Sequence, residues 1–153
     1  MKKAIILLML LPFACSGDQV LTYEERICAL TILGEARGEK QIGMYAVACV
    51  IRKRMEQDNI SADKVCLKPY QFDTWSAGKG KVKKESQMYY LWKSKSMMYA
   101  RQLARHVCRS DIKLMDITEG ADHFMRVDCN PDWLKGKKPV AIIGNHKFFR
   151  LND

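Results

Sequence analysis

Glu35 and Glu39 stand four residues apart with Arg37 between them, in the run Leu33-Gly34-Glu35-Ala36-Arg37-Gly38-Glu39. Apolar residues flank that run at helical spacing: Ile27, Leu30 and Leu33 before it, Ala46, Val47, Val50 and Ile51 after it. A charged cluster set into such a pattern brings carboxylates to the edge of a core. Loss of water there disfavours the ionised form, so a carboxyl pKa rises towards the range of a general acid. The same spacing also suits a solvated helix turn with a surface Glu–Arg pair, which would do no chemistry.

A second stretch, Lys68-Pro69-Tyr70-Gln71-Phe72-Asp73-Thr74-Trp75, is neither periodic nor simply polar. Three aromatics and an amide in an irregular segment suit a sugar-binding surface, because aromatic faces stack on apolar sugar faces. A loop pinned to the core by its aromatics would read the same way. Residues 78–84, Gly-Lys-Gly-Lys-Val-Lys-Lys, form a flexible basic loop, either solvated or in contact with a polyanion. His106 reads as structural or as complementing a helix dipole.

The elements that must position these residues follow from periodicity. Thr22 with Glu25 has capping-box spacing and opens a helix over 23–36 that carries Glu35 in its last turn. Gly38 can end it. A second helix covers 40–57, where Gly43 and Ala46 are small enough for another element to approach closely. Ser61 caps a short helical turn through Val65. One continuous helix is expected over 85–108, burying Tyr89, Trp92, Met97, Ala100, Leu103, Ala104 and Val107. Four short strands are expected at 112–118, 123–125, 140–143 and 146–151, separated by turns such as Glu119-Gly120 and Gly144-Asn145. Helices first and a small sheet after make one α+β domain, and 153 residues suffice for a single core.

The first residues carry a different signal. Lys2-Lys3 precedes an apolar run from Ala4 to Phe13, too short to span a bilayer, and small residues follow at Ala14, Cys15, Ser16 and Gly17. This reads as an export signal over residues 1–16, leaving a domain over 17–153. Secretion after cleavage behind Ser16 is the favoured route, to the periplasm or the extracellular wall. A cut before Cys15 with acylation of that cysteine is the less favoured one, since Pro12 and Phe13 suit it poorly. An uncleaved anchor is a third. The formal charge of +9 loses two units with Lys2 and Lys3. A basic exported protein meets wall polymers and lipid head groups, and nucleic acid is the rival polyanion. Of six cysteines, Cys28 and Cys49 read as small core residues, and a disulfide among Cys66, Cys108 and Cys129 is open. No Cys-x-x-Cys or His-Glu-x-x-His occurs, so no metal and no cofactor is expected.

Four blocks in order give the chain a resemblance. They are Gly34-Glu35-Ala36-Arg37-Gly38-Glu39 with Gly43-Met44-Tyr45-Ala46-Val47-Ala48 and Val50-Ile51-Arg52-Lys53-Arg54; Pro69-Tyr70-Gln71-Phe72 with Trp75; Gly120-Ala121-Asp122-His123-Phe124 with Pro131-Asp132-Trp133; and Ile143-Gly144-Asn145-His146-Lys147-Phe148-Phe149-Arg150. Over about residues 23–151 the chain resembles the SleB-type cell wall hydrolases, the spore-cortex-lytic enzymes and their relatives. The resemblance implies a lysozyme-like α+β domain acting on peptidoglycan glycan strands, with Glu35 as the one catalytic acid. It implies lytic transglycosylation between N-acetylmuramic acid and N-acetylglucosamine. Glu39, Gln71, Phe72, Trp75, His123 and His146 are the candidate substrate contacts, the two histidines forming the groove's other wall or else holding the loop that carries Glu35. Departures lie at Arg52-Lys53-Arg54, where an Asn-Arg pair is usual, and at Asp122 and Met125 beside the histidine. Rival readings are hydrolytic muramidase action and a wall-binding module without turnover. A nucleic-acid-binding protein is supported by charge alone and is not expected.

Overall fold

The computed structural model describes residues 20–152; the export signal and Cys15 lie outside the described residues. Helix α1 spans Tyr23–Glu35. Its start is the expected capping box: the Glu25 N–H donates to Thr22 Oγ1 at 3.2 Å and the Thr22 N–H donates to Glu25 Oε2 at 2.8 Å. Residues Ile27 to Leu33 are all buried, so α1 is enclosed on every side rather than amphipathic. It is the axis of the main core, with Glu35 at its last residue.

The chain turns through Gly38, φ 88°, into α2, Lys40–Asp58. Asn59 ends α2 in a left-handed conformation, φ 51°, which asparagine tolerates. The short α3, Ala62–Leu67, packs against α1 and α2 and is tied down by the Ala62 N–H donating to Glu24 Oε1 at 2.7 Å. Helix α4, Met97–Cys108, closes the main core against α1 and α2.

The helix expected over 85–108 is two elements. Glu85–Lys93 is a 3₁₀ helix that buries Met88 and Leu91, three residues apart as its period requires. Ser94 then interrupts it. The Ser94 N–H closes on the Leu91 carbonyl at 3.0 Å, and its hydroxyl accepts from the Ser96 N–H at 3.3 Å. Serine side chains compete with helical backbone bonds in this way.

The sheet has three antiparallel strands in the order β1-β3-β2: β1 His123–Arg126, β2 Ala141–Ile143 and β3 His146–Phe149. His123 pairs with Phe149 and Arg126 with His146; Ala141 pairs with Phe148. The sheet packs on α2 through a second small core of Ala46, Val50, Ala121 and Phe148. Ala46 allows that approach, as its size suggests.

The strand expected at 112–118 does not form. Side chains from α2 take its backbone groups before a neighbouring strand can. Tyr45 Oη accepts from the Met115 N–H at 3.0 Å, and Arg52 Nη2 donates to the Ile112 carbonyl at 3.3 Å. The last strand stops at Phe149, because the N–H groups of Leu151 and Asn152 go to the Asp122 carboxylate, each at 2.9 Å. The five cysteines among the described residues are free thiols. Cys66 and Cys108 both lie against the buried Cys28, while Cys129 is exposed on the loop after β1. Among the described residues no helix is long and apolar enough to cross a membrane.

Candidate active site

A groove of about 650 Å³ runs between the end of α1 and the sheet. Glu35 and Arg54 lie in it where α1 and α2 meet. Tyr70, Gln71, Asp73 and Thr74 contribute from the aromatic loop, and His123, Trp133 and His146 from the sheet side. Of the sequence candidates, Glu35, Gln71, His123 and His146 therefore share one cleft.

Glu35 is largely enclosed. Its Oε1 accepts from the Thr74 N–H at 2.8 Å. Gly34 makes this contact available: a Cβ there would overlap the Thr74 side chain, so any larger residue would push the loop away from α1. Burial lifts the Glu35 carboxyl above its ordinary range. The Asp73 charge adds to that rise, while the Thr74 hydrogen bonds and Arg54 oppose it. A carboxyl in this balance keeps its proton to higher pH than a surface glutamate.

Glu39 is used elsewhere. It does not line the groove; its carboxylate accepts from the Asn145 N–H at 2.8 Å and from Asn145 Nδ2 at 3.1 Å, fastening the β2–β3 turn to the start of α2. Gly144 and Gly43 leave room for it, since a Cβ on either would overlap the Glu39 side chain. The Asn145 backbone bond, more than any other contact, holds the Glu39 carboxyl below its ordinary range. The acid that pushes on Glu35 is Asp73, and the opposing arginine is Arg54. Arg37 instead places its guanidinium over the Tyr90 ring, 5.7 Å from the centroid.

Phe72 and Trp75 do not face the groove either. They are 3% and 2% exposed. The Trp75 indole donates to Thr31 Oγ1 at 2.7 Å, and the Phe72 ring lies under the Arg54 guanidinium, 5.0 Å from the centroid. They anchor the loop from inside. The exposed aromatics at the groove are Tyr70, which the sequence offers only as one of three aromatics in a sugar-binding stretch, and Tyr90 and Trp133, which it does not single out. Their signal was present, since Tyr70 and Trp133 sit inside the motif blocks. What periodicity does not supply is the direction of each ring in an irregular loop.

On the sheet side, His123 Nδ1 pairs with Asp122 Oδ1 at 2.8 Å, and its ring lies 6.2 Å from that of Trp133. Asp122 is fully buried. Burial pushes its carboxyl up, but His123 and the N–H groups of Leu151 and Asn152 outweigh that and hold it below its ordinary range. Asp122, the acidic neighbour of the histidine, is thus the hub that ties the C-terminal segment to β1. His146 is buried edge-on to Phe124, 5.3 Å between centroids, and burial lowers its pKa below the ordinary histidine value, against the opposing pull of Glu39. Arg54 is 8% exposed, and its Nε donates to the Asp122 carbonyl at 2.5 Å. Among the described residues no cluster of three His, Cys, Asp or Glu side chains could hold a metal ion.

Comparison with known proteins accords with this geometry. The family model described as Cell Wall Hydrolase matches residues 38–149. The fold is similar to the catalytic domain of the Bacillus cereus SleB protein, with a TM-score of 0.60 and 19% identity, covering 88% of this chain and 94% of that one. It is similar also to the catalytic domain of the germination-specific lytic transglycosylase SleB from Bacillus anthracis. There the TM-score is 0.63 and the identity 20%, covering 88% of this chain and 100% of that one. A comparison with curated protein sequences gives no match. The family model spans well over half of the chain and makes it a member of the cell wall hydrolase family, with the lysozyme-like α+β fold of the SleB catalytic domains.

Proposed function

We propose that the protein is an exported lytic transglycosylase that cuts the glycan strand of peptidoglycan with Glu35 as its single catalytic acid. The observation that carries this reading is the enclosed Glu35 carboxyl, lifted above its ordinary range at the edge of an aromatic-lined groove. Protonated Glu35 donates to the glycosidic oxygen as that bond breaks. The resulting carboxylate takes the proton from the 6-hydroxyl of the muramic sugar, whose oxygen closes on the anomeric carbon to leave an anhydro end. One carboxyl serves first as acid and then as base. The Bacillus anthracis relative carries the name lytic transglycosylase, which supports the same chemistry here. The basic surface suits anionic wall polymers or lipid head groups as secondary contacts.

Asp73 favours a second reading. It lines the groove beside Glu35, and a second carboxylate is what a hydrolytic muramidase uses to activate water or hold the glycosyl cation. Mass spectrometry of digested sacculi separates the two. Anhydro-muramic ends support transglycosylation; reducing ends carrying one added water, lost in Asp73→Asn, would replace it with hydrolysis. Released peptides with intact glycan strands would contradict both.

A further inference from the structure

Tyr70 occupies a position that its residue type disfavours. The Gln71 N–H donates to the Lys68 carbonyl at 3.2 Å, closing a turn with Pro69 second and Tyr70 third. Tyr70 has φ 65°, left-handed backbone at the place that glycine ordinarily fills in such a turn. Its side chain does not compensate by burial, being 84% exposed. A bulky residue kept in a strained backbone conformation with so little packing points to a use outside folding.

The ring nevertheless has a defined seat. It lies over Gly80 of the basic loop, φ 72°, where an added Cβ would stand 2.7 Å from Tyr70 Oη and 3.0–3.1 Å from ring carbons. Gly80 thus allows the ring to rest on the loop. From that seat Tyr70 lines the same groove as Glu35, with Trp133, 51% exposed, and His123 also lining it. The basic loop, which reads from sequence as solvated or polyanion-binding, is here the support of an aromatic side chain.

We propose that Tyr70 is a saccharide platform: its ring, propped on Gly80, takes the apolar face of one pyranose of the strand in the subsite beside Glu35. This rests on the glycan-cleaving reading above and adds to it the residue that seats the sugar. Stacking needs the ring and not the hydroxyl, so Tyr70→Phe keeps the subsite and Tyr70→Gly empties it.

The test measures binding of a defined octasaccharide of alternating N-acetylglucosamine and N-acetylmuramic acid, by calorimetry, to the full chain in a Glu35→Gln background that does not cleave it. Thermal melts run alongside. Tyr70→Gly is expected to weaken binding about ten-fold, the size of one lost stacking contact. The same variant is expected to melt higher by about 2–4 °C, because glycine relieves the left-handed strain. Tyr70→Phe should bind within about two-fold of the background protein, since the ring is kept. Gly80→Asn, which tolerates the left-handed backbone, displaces the ring and should weaken binding although Tyr70 is intact. Unchanged binding by Tyr70→Gly overturns the platform while leaving the glycan reading in place. A loss in Tyr70→Phe equal to that in Tyr70→Gly overturns stacking in favour of a hydroxyl contact. If the background protein does not bind the octasaccharide and wild type does not cleave sacculi, the glycan reading itself fails and the platform with it.

Discussion

Two enclosed carboxyl groups, one lining the groove and one buried behind His123, respond to burial in opposite ways. Glu35, at the end of α1, is enclosed with Thr74 as its hydrogen-bond partner and the negative Asp73 nearby, and its pKa rises. Asp122, under the sheet, is enclosed with His123, two backbone N–H groups and the Gln57 amide, and its pKa falls. Burial alone disfavours the charge in both. The number of donors decides the sign, since a carboxylate that accepts several hydrogen bonds is stabilised as an anion. The helical side of the groove holds a carboxyl whose burial favours its protonated form; the sheet side holds carboxylates that fasten backbone. Glu39 belongs with Asp122 in this respect, although in sequence it looks like the partner of Glu35.

That contrast orders the expected effects of substitution. Glu35→Gln should abolish turnover, a fall of about 10²–10⁴-fold or more in kcat, measured as release of soluble fragments from sacculi. It should not cost stability at neutral pH. A carboxyl with a raised folded pKa contributes stability below its unfolded value that is lost as pH rises through the folded one, and glutamine removes that loss. A clear drop in the melting temperature of Glu35→Gln would place Glu35 with the structural anions. Asp122→Asn should do the reverse, losing about 3 kcal/mol of folding stability in denaturant titration. Wild-type stability should also decline in acid as pH falls through the lowered Asp122 value, and the variant should lack that part of the decline. Glu39→Ala loses the two bonds to Asn145, so about 1 kcal/mol is expected, with a small loss of activity as the β2–β3 turn loosens. The smallest effect is expected from Arg54→Met. Removing a cation that favours ionised Glu35 should move the basic limb of the pH–rate profile to higher pH, and a downward move would contradict the electrostatic role given to Arg54.

Much of the scaffold was legible in the sequence. The capping box at Thr22, the small residues on α2 and the turn residues between strands each have a local physical cause, and α1, α2 and the three-stranded sheet lie where those causes put them. The misreadings share a different origin. The segment 112–118 has strand-like composition, but Arg52 and Tyr45, more than fifty residues away in sequence, claim its backbone. Glu39 and Glu35 look equivalent at four residues' separation, yet the turn at Gly38 sends one to the sheet and the other into the groove. Phe72, Trp75 and Tyr70 are three aromatics in one loop. Only packing distinguishes the two that anchor it from the one that stands over the cleft. Arg54 was visible only as part of a basic helix end, because nothing local signals that α2 would bury it.

The most direct measurement is the titration of the Glu35 side chain, followed through its carboxyl carbon by NMR and set beside the pH dependence of kcat/KM. The account predicts a Glu35 midpoint above that of an ordinary glutamate, a Glu39 midpoint below it, and a basic limb in the rate profile that coincides with Glu35. A Glu35 midpoint at or below the ordinary value, with activity unaffected as that group ionises, would contradict it.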